Sequence, residues 1–132
     1  MGLDMNMTGR KFLPYSAAKR FEEGFEIEAI EVKIAYWRKH PNLHGFIVET
    51  FAGGNDNCQD IELDISQLQT IIEAVKANAL PKTEGFFFGV SNGDEAELQD
   101  DLEQLGKAVS WLTPLHKQEE QAWYSVIYRA SW

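Results

Sequence analysis

Four side chains near the middle of the chain, Arg38, His44, Asp56 and Cys58, have the types needed for covalent chemistry. A cysteine thiolate is a nucleophile, an imidazole can take the thiol proton, a carboxylate can orient that imidazole, and a guanidinium can hold an anionic group. Glu49 is a second carboxylate that could orient the ring. Linear spacing does not select this set from chance, so it is a group to inspect and no catalytic residue is assigned. His40 and His44 stand four apart, a spacing that on a helix aims two rings at one cation. Pro41 favours the first helical turn and so leaves His40 outside the regular helix, where that spacing loses its meaning. His44 is then expected to hydrogen-bond within the fold, and neither a metal ligand nor a cofactor is assigned.

Two further patterns fail on their own terms. Asp56, Asp60, Glu62 and Asp64 alternate as in a calcium loop, but the central glycine and the bidentate glutamate are not at the required offsets. Gly89-Val90-Ser91-Asn92-Gly93 could ring a phosphate before a helix, yet Asp94, Glu95 and Glu97 already occupy that electropositive end. Large aromatic side chains supply contact area at interfaces, which makes Tyr36, Trp37, Trp123 and Trp132 a possible partner surface.

The elements that must position these residues follow from periodicity. Leu3, Met5 and Met7 alternate with polar neighbours in a strand that Gly9 can close. Residues 12–24 read as irregular; Phe25, Ile27 and Ala29 start a second strand, and the apolar content continues to Trp37 without a clean period. A helix is predicted from about Pro41 to Ala52, with Gly45 weakening it. Ile61, Leu63 and Ile65 read as a half-buried strand, followed by an Asp64 and Gln67 capping box and a helix whose buried stripe is Leu68, Ile71, Ile72, Val75 and Ala79, ending at Pro81. The segment 85–89 is a short interior strand or a packed crossing segment. Asn92 and Glu95 suggest a cap for a last helix with Leu98, Leu102, Leu105, Val109 and Leu112 on its apolar face, ended by Thr113-Pro114. A final strand over residues 122–129 can hold Trp132 in order. The sum is one α+β domain over residues 1–132, a mainly antiparallel sheet with about three helices packed largely on one side.

At 132 residues the chain can bury about two-thirds of its extended surface, enough for one ordinary core. Twelve basic against 21 acidic residues give a net charge of −9, which repels a nucleic-acid backbone and disfavours nucleic acid as a partner. The amino-terminal stretch with Arg10, Lys11, Lys19 and Arg20 is the local exception. A single cysteine permits no intrachain disulfide and fits a reducing, cytoplasmic setting. No apolar run is long enough to span a bilayer, and the start reads as neither a signal peptide nor a myristoylation site.

Met1-Gly2-Leu3-Asp4-Met5, Tyr36-Trp37-Arg38-Lys39, Asn42-Leu43-His44, Asp56-Asn57-Cys58, Leu80-Pro81, Gly85-Phe86-Phe87-Phe88-Gly89 and Ser131-Trp132 occur in one order along the chain. Together they resemble a family of small uncharacterised proteins of bacteriophages, prophages and bacterial genomes. The resemblance carries no catalytic residues with it. It implies a non-enzymatic accessory protein that binds a host or phage protein; the contact area of the aromatic residues also fits self-association. A small enzyme built on the four residues above is the second reading. Acidic mimicry of nucleic acid by Asp94, Glu95, Glu97, Asp100, Asp101 and Glu103, inhibiting a host protein, is the third.

Overall fold

The computed structural model describes residues 2–13, 19–85, 87–113 and 123–132, with residues 19–22 described through their backbone alone. In chain order its elements are β1 (Asp4–Phe12), β2 (Lys19–Glu22), β3 (Phe25–Ile27), β4 (Ala29–Arg38), α1 (Pro41–Phe51), β5 (Ile61–Leu63), α2 (Ile65–Lys76), α3 (Glu95–Leu112) and β6 (Trp123–Ser131). Four strands form an antiparallel sheet in the order β4-β1-β6-β5, and β2 pairs with β3 separately. With three described helices, this is the α+β architecture that the periodicity predicts.

Alternation along β1 sends Leu3, Met5 and Met7 to the interior and Asp4, Asn6 and Thr8 to the other face. The register sets Met5 beside Trp37 and Ala130, and Met7 beside Ala35 and Tyr128, so one face of the sheet becomes a wall of the core. Gly9 does not close the strand. Pairing continues through Phe12, because a Cβ at Gly9 would stand only 2.7 Å from the Trp111 indole and from Ile34; the missing side chain admits the indole. The register with β4 shifts between Met7 and Thr8, leaving Ile34 as the extra residue of a bulge. Part of the stretch expected to be irregular is strand β2; residues 14–18 lie outside the described residues.

Helix α1 begins at Pro41 as expected, and Gly45 is where it touches its neighbour: a Cβ there would lie 2.0 Å from Thr83 Oγ1. The α2 capping box is complete, with Asp64 accepting from the Gln67 N–H and the Gln67 side chain accepting from the Asp64 N–H. This helix stops at Lys76, well before Pro81, and Asn78 turns into the left-handed region with φ 52°; Ala79 is therefore exposed, not part of the buried stripe.

The α3 cap is Asp94, not Asn92. Its carboxylate accepts from the Glu97 N–H at 2.8 Å, while the Glu97 carboxylate reaches back to the N–H groups of Asn92 and Gly93. Leu105, Ala108 and Leu112 are buried, and Leu98, Leu102 and Val109 are half-buried against the same core. Gly85 and residues 87–89 form no strand; Phe86 lies outside the described residues, Phe87 is exposed, and Phe88 packs inward as a crossing segment would.

The edge of β4 is covered by a side chain. Gln104 of α3 accepts from the Tyr36 N–H at 2.7 Å and donates to the Tyr36 carbonyl at 2.9 Å, so its carboxamide satisfies the two outward groups as a neighbouring strand would. The buried residues of all three helices join Met5, Met7, Trp37, Val126 and Tyr128 in one core.

Candidate functional site

The chain enters α1 through Lys39, which takes φ 53°, and His40, the residue capping the helix. This turn buries the His40 ring, only 3% exposed. His40 Nε2 lies 2.8 Å from Asp101 Oδ2 and Nδ1 lies 2.7 Å from Ser91 Oγ. Asp101 is on the inner face of α3, 2% exposed, and its second oxygen accepts the Trp37 indole N–H at 3.0 Å. Ser91 Oγ also accepts the Asn42 N–H at 3.1 Å. Strand β4, the start of α1, the loop before α3 and α3 itself thus meet in one polar network inside an apolar core. With Nε2–H donating to Asp101 and the Ser91 hydroxyl donating to Nδ1, every member is satisfied.

A second network lies one turn further along α1. His44, 2% exposed, sits with Nδ1 2.6 Å from the Tyr128 hydroxyl and Nε2 2.9 Å from Asp56 Oδ2. The Trp132 indole donates to the other Asp56 oxygen at 3.2 Å. Phe88 presents its ring edge-on to His44, with centroids 5.4 Å apart, and stands 6.1 Å from the Trp132 ring. Burial, with the Asp56 charge nearby as a lesser cause, pushes the Tyr128 phenol well above its usual range. Trp132, about half exposed, thus contacts both Asp56 and Phe88.

These contacts sort the expected set. His44 and Asp56 come together, but both nitrogens of the ring are occupied by Tyr128 and Asp56, so neither is left to take a proton from Cys58. Cys58 is half-buried in the loop after α1, where φ of 60° strains a non-glycine residue. Glu49 is exposed on α1. Arg38 turns to the other side of the sheet and binds Asp4 at 2.7 Å. The Tyr36 hydroxyl donates to the same carboxylate, and these two donors, Tyr36 first, hold the Asp4 carboxyl below its usual range; Asp4 in turn raises the Tyr36 phenol. The two histidines bind separate carboxylates and do not converge on one point. Asp101 is the residue that sequence reasoning missed in this role. Its signal was an acidic position set between Leu98 and Leu105 on the apolar face of α3.

The sheet face opposite the helices is the other candidate. On β1, β4 and β6 it carries Arg10, Phe12, Lys33, Tyr36, Arg38, Trp123 and Arg129. Trp123 is 68% exposed and stands across from Phe12, itself 41% exposed. Lys33 lies 5.0 Å from the Tyr36 ring centre. Of the aromatic group expected at a partner surface, Tyr36 and Trp123 belong to this face; Trp37 does not, being buried at 4% exposure, and Trp132 is engaged by Asp56. The acidic set of α3 is also divided, since Asp101 is buried and Glu97 is turned toward the loop before the helix, leaving Asp94, Glu95, Asp100 and Glu103 outside. Among the described residues no helix is long and apolar enough to cross a membrane. No family model, no curated protein and no solved structure matches this chain.

Proposed function

We propose that this chain is a non-catalytic, protein-binding module that engages its partner through the open face of the four-stranded sheet. The observation that carries this reading is the exposure of Trp123 beside Phe12 on a face that also presents Tyr36. Tryptophan, tyrosine and arginine are the residues that most often dominate binding energy at interfaces. The contrast with the interior supports it: among the described residues no buried side-chain polar atom lacks a hydrogen-bond partner, so neither histidine network presents an unpaired group to a substrate. Arg10 pairs with Glu31, Arg38 with Asp4 and Arg129 with Asp60, so the charges of this face are balanced and its exposed aromatic side chains are what a partner would contact. The resemblance in the sequence suggests a phage or prophage accessory protein, acting in the cytoplasm on a host or phage protein.

The test is affinity capture from bacterial lysate, with and without phage infection, followed by intact-mass analysis. The double variant Trp123→Ser and Tyr36→Ser, with an unchanged unfolding transition, should lose the captured partner. Retention of the same partner by that variant would overturn the assignment of the face.

A further inference from the structure

We propose that His40, Glu97 and Asp101 form a binding site for one divalent first-row transition cation. Each offers one donor atom, and the three atoms lie within 4.8 Å of one another. His40 Nε2 stands 2.8 Å from Asp101 Oδ2 and 3.7 Å from Glu97 Oε1. Ligands at about 2.1 Å from a tetrahedral ion are separated by roughly 3.4 Å, a spacing that these two distances bracket.

The surrounding hydrogen bonds are those that ligands need. The Trp37 indole holds Asp101 by its other oxygen, and the Asn92 and Gly93 N–H groups hold the Glu97 carboxylate. Ser91 Oγ lies 2.7 Å from His40 Nδ1. When Nε2 gives its lone pair to the ion, the ring proton resides on Nδ1 and the Ser91 oxygen accepts it, so the same contact serves both tautomers. Two carboxylates and a neutral imidazole match the charge of a divalent ion, which compensates the buried Asp101 charge without a second cation.

Access comes through Glu97, where two clefts meet. One, of about 290 Å³, is lined by Gly93, Asp94, Glu97 and Asp101; the other, of about 320 Å³, by Trp37, His40 and Glu97. Three protein ligands with solvent on two sides leave positions for water, unlike a closed structural site. An imidazole and a tetrahedral spacing favour zinc or cobalt over magnesium, calcium or manganese. This site lies on the core side of the sheet, and the second of its clefts is also lined by Tyr36 and Arg38 of the partner face.

The full chain, stripped of metal, would be titrated with Co²⁺ and then with competing Zn²⁺, following cobalt absorption in the visible range. One equivalent should bind; Glu97→Gln should weaken binding by at least about tenfold, and Glu95→Gln, in the same helical turn, should leave it unchanged. In wild-type protein, Zn²⁺ should shift the His40 Nε2 nitrogen resonance while His44 keeps its position, a readout that does not depend on any variant folding. Wild-type affinity in a folded Glu97→Gln protein, an unmoved His40 resonance at zinc saturation, or no uptake of either ion would overturn the proposal.

Discussion

His40 and Asp101 are 61 positions apart in the chain and 2.8 Å apart in the fold, and their contact ties the start of α1 to the inner face of α3. Asp101 also accepts the Trp37 indole N–H, so one carboxylate serves two buried donors from the β4 to α1 junction. Removing it leaves both without a partner, at roughly 1 to 3 kcal/mol for each unsatisfied group. Asp101→Ala is expected to lose about 2 to 5 kcal/mol in denaturant unfolding. A loss below about 0.5 kcal/mol would show that the network contributes nothing to stability.

Leu105 and Leu102 separate a buried from a half-buried position on one helix. Leu105 is fully buried, so Leu105→Ala should cost about 2 to 5 kcal/mol through lost transfer energy and a residual cavity. Leu102 is only partly covered, and Leu102→Ala should cost clearly less. Matched unfolding of the two variants checks the rotation of α3; equal costs would contradict it.

Gly9 is required by the approach of α3 to β1. Gly9→Ala places a methyl group 2.7 Å from Trp111, which must move, at about 1 to 3 kcal/mol. Thermal unfolding should show the loss together with a changed Trp111 fluorescence. An unaltered transition would mean that the indole does not lie over this glycine.

The buried Tyr128 phenol gives a pH dependence with a definite sign. Its value in the folded chain is raised, so the unfolded chain releases this proton first. Stability is complete below the ordinary tyrosine value of about 10 and falls as pH rises above it. Phenolate absorbance from Tyr128 should therefore appear only with alkaline unfolding, and Tyr128→Phe should flatten that limb. Ionisation of Tyr128 in the folded protein at the ordinary value would contradict its burial.

Much of this architecture is legible in local pattern. Alternation located β1 and β6, and the capping box at Asp64 fixed the start of α2 because cap and partner lie within one turn. The errors came where a distant residue decides the local outcome. Gly9 reads as a strand end until Trp111 is placed over it; the α3 cap is a local error instead, since Asp94, two residues after Asn92, accepts the helix N–H. The pairing of His44 with Asp56 was within reach, being 12 residues apart, whereas Ser91 and Asp101 meet His40 only through long-range packing. Trp37 and Trp123 have the same side-chain chemistry, and only the face of the sheet separates a core residue from a surface one.

The most direct measurement of the central claim is capture of a partner from bacterial lysate by three matched proteins: wild type, the Trp123→Ser and Tyr36→Ser double variant, and Trp132→Phe as a control on the core side. Wild type and the control should retain one defined partner at constant stoichiometry, and the sheet-face variant should lose it while unfolding at the same denaturant concentration. A partner kept by the sheet-face variant, or lost by the control alone, would contradict binding through the open face, as would the absence of any defined partner from both uninfected and phage-infected cells.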